Sequence, residues 1–241
     1  HDQEQAQRQF EEIVRLFKEM EKNLGHLCDT ISYYIFGNAY GDLVQGHYVF
    51  ADFATVLNQR KYLLEEAIKA FRQGLPIARI TGGTVLGFLE YAGAEALHQL
   101  ARLEADGLLK LDILAEAIVI SEEGNVLHER IAPSFAWNIG VGYISEGYLR
   151  YDLALLTKEP AKRRELLEAA ILRFQAGFGK VRSIPHHFYQ GMLLRLGDFY
   201  IRYTNALDSL YEETTDQNLL NEGILALNSA VESYSGAQRP A

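Results

Sequence analysis

The sequence predicts an all-α protein, a stack of four antiparallel helical hairpins behind an N-terminal capping helix. Three observations predict it. Only five prolines occur in 241 residues, and between them apolar residues recur at intervals of three and four, the period of one helix face. The chain matches itself in phase when slid along its own length, the mark of stacked supersecondary units. A composition of 48% apolar and 23% charged residues supplies a core and excludes disorder or a fibrous repeat.

Residues 1–28 form the capping helix. Phe10, Ile13, Phe17, Met20, Leu24 and Leu27 follow one another at steps of three and four, an apolar seam that either docks on the repeat or pairs as a dimerising coiled coil. Residues 29–241 form one repeat domain with units near 29–77, 78–127, 128–182 and 183–235. In the first unit Tyr33, Phe36, Gly37 and Tyr40 mark helix A, and Leu64, Glu65, Glu66, Ala67, Ile68, Phe71 and Gly74 mark helix B. A shift of 50 places Leu86, Gly87, Leu114, Glu116, Ala117, Ile118 and Gly124 beneath them. A shift of 103 places Ile139, Gly140, Tyr143, Leu167, Glu168, Ala170, Ile171, Phe174 and Gly177 there. The fourth copy aligns Leu196, Gly197 and Tyr200 at 160, then Leu219, Leu220, Glu222, Gly223, Ile224, Ala226, Leu227 and Ala230 at 156. That slip of four is about one helical turn. Glycine costs about 1 kcal/mol against alanine inside a helix, so a Gly at one phase of every helix A predicts a crossing too close for a Cβ. Asp29, Thr157 with Pro160, Ser183 with Pro185, and Asp216 stand where helices should start.

These residues resemble the tetratricopeptide repeat (TPR). Tyr33, Phe36, Gly37, Tyr40, Ala67 and Phe71 fill all six characteristic places, and Ala136, Ile139, Gly140, Tyr143, Ala170 and Phe174 stand there in the third unit. The second and fourth copies depart, with Glu90 at a tyrosine place and Gly223 and Leu227 on the last helix B. The units run to about 50 residues rather than the family's 34 or so. The resemblance implies a right-handed superhelix whose helix-A face is concave and binds a protein segment. Its groove-facing places hold Tyr34, Asn38 and Asp42; Thr84, Phe88 and Ala92; Trp137, Val141 and Ser145; and Leu194, Asp198 and Arg202. They lack the basic and amide cluster with which chaperone-binding members hold a C-terminal carboxylate. Tyr34, Phe88, Trp137 and Leu194 favour an apolar helix, an extended hydrophobic segment or an apolar small molecule, unless the long helices bury them in core.

Other chemistry has thin support. A net charge of −9 repels a phosphate backbone, so nucleic acid is not an expected partner. The lone Cys28 excludes an intramolecular disulfide and reads as a quiet core thiol. No apolar run is long enough to cross a bilayer, so a soluble protein is expected. His1 fits a trimmed or processed chain and leaves the compartment open. Glu95 and His98 form an E-x-x-H pair, but the second copy needed for a di-iron site is missing; His186 and His187 point about 100° apart on a helix and do not share a metal easily. Thr81-Gly82-Gly83-Thr84 lacks the lysine of a phosphate-binding loop and reads as a turn with a threonine cap. Lys158 to Arg164 is the one basic run, a solvated helix start or a contact for an acidic partner. The expectation is therefore a module without catalysis, metal or cofactor. Two alternatives stand beside it. One is a carrier or enzyme enclosing an apolar molecule between long helices. The other is a structural oligomer, formed through the Phe10 to Leu27 seam or through the last helix, whose tail Ser233 to Ala241 has no obvious polar cap.

Overall fold

The computed structural model describes residues 2–24, 30–131, 136–182 and 190–237. Its described residues form nine α-helices, with neighbours packed antiparallel within each of two units: α1 Asp2–Leu24, α2 Thr30–Phe53, α3 Leu57–Thr81, α4 Gly83–Leu103, α5 Gly107–Ile131, α6 Ala136–Leu156, α7 Pro160–Arg182, α8 Gln190–Thr214 and α9 Gln217–Ala237. They fall into two compact units, His1–Pro133 and Ser134–Ala241. Cys28, Leu27, the caps expected at Asp29 and at Ser183 with Pro185, and His186 with His187 lie outside the described residues, as do the side chains of Phe10, Leu24 and Tyr33.

In the first unit α2 and α3 pair along their lengths, α4 packs on both, and α5 returns along α4. The faces that the repeat marks on α3 and α5 are core: Leu64, Ala67 and Phe71 of α3 and Leu114 and Ala117 of α5 are at most 1% exposed, as are Leu89 and Leu97 of α4. Helix α1 touches α2. Phe17 is buried and meets Tyr40 edge-on at 4.8 Å, whereas Ile13, on the same seam, is 55% exposed. The seam is thus only partly used inside the unit.

The second unit repeats the plan. α6 and α7 pair, α8 packs on α7, and α9 returns along α8. Aromatic rings fill its centre: Phe178 stacks on Tyr200 at 4.2 Å, and Phe174 meets Tyr148 at 5.3 Å and Tyr203 at 5.6 Å.

The motif glycines sit at close crossings in all four hairpins. A Cβ on Gly37 would lie 2.5 Å from Val85, on Gly87 2.6 Å from the His128 ring, on Gly140 2.9 Å from the Gly177 carbonyl, and on Gly197 2.6 Å from the Tyr234 ring. The Gly140 and Gly177 contact is the tightest in kind, because backbone meets backbone there and neither helix can yield by a rotamer change.

Some helix ends differ from expectation. Asp216 does cap α9, its Oδ1 accepting from the Asn218 amide at 3.0 Å. Thr157 instead closes α6, donating to the Leu153 carbonyl at 2.9 Å, while Pro160 takes the first position of α7 as expected. α3 runs through Pro76 to Thr81, past the expected unit boundary at 77. A proline costs the helix one N–H bond, and the Gly82 amide closes the end on Ala78 at 2.7 Å. Gly82 and Gly83 then turn the chain at φ of 67° and 63°, a region glycine enters without strain. No side-chain cap forms at the start of α4.

Candidate binding surface

In the first unit α3 carries charge on its outer side, and that charge borders a concavity. Along α3, Lys61, Glu65, Lys69 and Arg72 recur at steps of three and four and so share one face. Opposite stand Glu104, which ends α4, and Glu116 on α5. Between them lies a groove of about 530 Å³. Its floor is aliphatic, formed by Ile68, Leu97, Leu100 and Ile113. Leu109 stands on its edge and is 47% exposed.

Ion pairs fasten the rim. Lys61 Nζ lies 2.9 Å from Glu104 Oε2, and Arg72 Nη2 donates to both oxygens of Glu116 at 3.1 and 3.0 Å. The Lys61 ammonium holds the Glu104 carboxyl below the usual carboxylate range, helped by the Asp106 and Ala105 amides donating to Oε1. Arg79 and Glu123 extend the rail at 3.8 Å. The rim therefore presents alternating charge above an apolar floor, an arrangement suited to a peptide backbone carrying one aliphatic side chain between charged ones. Asp106 fixes the near edge by capping α5: its Oδ1 accepts from the Leu108 and Leu109 amides at 2.8 and 3.2 Å.

The second unit links the same repeat places with different chemistry. Arg72 and Gln175 are 103 residues apart, and Glu116 and Glu222 both occupy the place of Glu66. Gln175 Nε2 donates to Glu222 Oε1 at 2.9 Å and to the Tyr203 hydroxyl at 3.0 Å, and that hydroxyl donates to Glu222. Burial, then the Glu222 bond, push the Tyr203 phenol well up from its ordinary value. Deeper in the unit, Glu146 of α6 is fully buried between Arg150 at 2.9 Å and Arg173 at 2.7 Å.

The helix-A places are distributed between exposed and packed settings. In the first unit Tyr34 is 53% exposed and Asp42 is exposed. Partial desolvation of its carboxyl nonetheless pushes Asp42 up. Asn38 donates to its own helix at the Tyr34 carbonyl, and half-buried Phe88 packs its ring over Gly41. Thr84 is exposed and Ala92 buried. In the second unit Leu194 is 44% exposed and Val141 only 4%, with Trp137 and Ser145 half-buried. Asp198 accepts from the Tyr234 hydroxyl at 2.5 Å, and the Arg202 guanidinium lies 5.4 Å from the Tyr148 ring centre.

The remaining sequence features are absorbed by packing or pairing. His98 is 6% exposed, Glu95 accepts from Gln99, and no group of three metal-ligating side chains converges among the described residues. In the basic run, Lys162 pairs with Glu165, Arg163 with Glu213 and Arg164 with Glu168. His47 is buried and burial takes its imidazole down to about 4. Among the described residues no helix is long and apolar enough to cross a membrane.

No protein-family model and no curated protein matches the chain. Three solved structures are similar to it. A de novo designed helical repeat protein, DHR64, is 13% identical with a TM-score of 0.43, over 98% of this chain and 97% of that one. A structure from the computational design of self-assembling cyclic homooligomers is 11% identical with a TM-score of 0.41, over 98% and 95%. The DHF58 filament is 15% identical with a TM-score of 0.40, over 87% and 95%.

Proposed function

We propose that the protein is a non-catalytic, TPR-like binding module that takes a protein segment into the α3 and α5 groove. The observation that carries the reading is the groove itself: an aliphatic floor of Ile68, Leu97, Leu100 and Ile113 beneath a rim of three cations and three carboxylates. A segment with one aliphatic residue flanked by opposite charges would bury its side chain on that floor and exchange partners with Lys69, Arg72 and Glu65. The right-handed succession of four hairpins belongs to the same reading, supported by glycines at one phase of each helix A.

A second surface is the helix-A face, favoured by the exposure of Tyr34 and Leu194. The carrier reading draws less support, because the rings of the second unit contact one another.

The test is selection of short segments from a displayed random library by the full chain, followed by titration against Leu109→Glu. Enrichment of aliphatic-centred, charge-flanked segments that lose at least tenfold in affinity to the variant is the expected result. Equal affinity for both proteins would remove the groove from the account.

A further inference from the structure

The last helix leaves exposed the face that its counterparts bury. On α9, Leu220, Ile224, Leu227 and Val231 follow one another at steps of four, three and four, one stripe of a helix, and they are 38%, 51%, 42% and 62% exposed. The equivalent residues of α7, Leu167, Ile171, Phe174 and Phe178, are all buried. On α3, Leu64, Ile68 and Phe71 are buried likewise. The next helix contributes to that cover, Phe71 lying against Gly93 of α4 and Phe178 stacking on Tyr200 of α8, whereas on α5, which packs on α4 alone, Leu114 and Ile118 are buried within the hairpin. α9 meets α8 through a different, small-residue face made of Gly223, Ala226, Ala230, Ser233 and Ala237. Its stripe is thus an apolar face with no helix upon it among the described residues.

We infer that this stripe docks a second copy of the chain, two α9 helices pairing antiparallel about a two-fold axis near residues 225 and 226. The spacing supports that occupant. In such a pair Leu220 faces Val231 of the other copy and Ile224 faces its Leu227, so all four positions meet apolar partners and the patch is its own complement. Charge supports it as well. The chain carries a net −9, which opposes self-association over most of its surface. α9 has only two charged residues, Glu222 and Glu232. In the antiparallel register Glu222 stands opposite Ser229 and Glu232 opposite Leu219, so no carboxylate meets another. Glu222 is moreover already held by Gln175 and Tyr203. Gln217, Asn228 and Ser235, which flank the stripe on its open side, are neutral.

The area sets the strength. The four exposed fractions amount to about two whole aliphatic side chains per copy, well below the ~800 Å² per partner of a standard interface. The dimer is therefore reversible and concentration-dependent, and it is independent of what the groove of the first unit binds.

Sedimentation equilibrium of the full chain from about 5 μM to about 500 μM tests it. The mass should rise from 27.2 kDa towards twice that value. Ile224→Glu should hold the chain monomeric throughout with unchanged helicity, since the side chain is exposed. Ile224→Glu combined with Leu227→Lys should recover association, because each new glutamate then faces the other copy's lysine. A wild-type chain that stays monomeric at the highest concentration would overturn the proposal. So would an Ile224→Glu chain that dimerises as wild type does, or a double variant that fails to recover.

Discussion

Glu90 stands where the first hairpin has Tyr40, and that exchange has a measurable cost. The side chain is 3% exposed, Oε2 has no hydrogen-bond partner among the described residues, and its Cβ lies 3.1 Å from where a methyl on Gly124 would project. Burial first, then the Glu123 carboxylate, push Glu90 up to about 7 against the pull of Arg79. The folded chain therefore keeps this proton to about pH 7, whereas the unfolded chain releases it near 4.5. Below pH 4.5 both states are protonated and the residue is neutral in effect; stability then falls as pH rises to about 7 and stays at the lower level above it. The interval corresponds to about 3 kcal/mol, which solvent screening near exposed Glu123 and Arg79 reduces to about 2 kcal/mol. Glu90→Gln keeps the shape and removes the charge. Urea unfolding at pH 8 should show the variant about 2 kcal/mol more stable, a rise of about 4–8 °C in Tm, while the difference nearly vanishes at pH 4.5. A variant no more stable than wild type at pH 8, or a gain independent of pH, would refute the reasoning.

Two further perturbations test the packing. Gly177→Ala would put a Cβ 2.6 Å from the Gly140 carbonyl and should cost about 3 kcal/mol in chemical denaturation, whereas Gly179→Ala, two residues on with open space around it, should gain about 0.5–1 kcal/mol from helix propensity; equal effects would mean that the α6 and α7 crossing is not close. Glu146→Ala leaves Arg150 and Arg173 without their shared carboxylate and should cost about 3–5 kcal/mol by the same assay, against less than about 1 kcal/mol for Glu168→Ala, which removes an exposed pair with Arg164.

Phase was the most legible property of the sequence. Gly37, Gly87, Gly140 and Gly197 recur at one place because a neighbouring helix packs atoms where a Cβ would lie, and the repeated Leu, Ala and Ile of α3, α5 and α7 recur because they are core. The groove was not legible. Lys61, Glu65, Lys69 and Arg72 are separated by helical steps, so a search for runs of charge finds Lys158 to Arg164 and passes over them, and a charged helix face looks the same whether it borders water or a concavity. Glu104 and Glu116 become its far rim only once α4 and α5 are placed. The helix-A places divided for a similar reason: Asp42 and Ala92 hold the same motif place, one exposed and the other buried, because burial depends on the neighbour, and spacing within one helix does not encode it. Asp106 was missed because the two leucines whose amides it caps, Leu108 and Leu109, do not begin an obvious apolar stripe.

The proposal that the groove binds a segment is tested most directly by site-specific photo-crosslinking of a selected segment to the full chain. A benzophenone side chain is introduced in separate chains at Leu109 on the groove edge, at Tyr34 and Leu194 on helix A, and at Leu155, which is 49% exposed. The account predicts an adduct from position 109 at many times the yield from 155. Adducts confined to 34 or 194 would move the site to the helix-A face, and equal yields from all four would contradict a built binding surface.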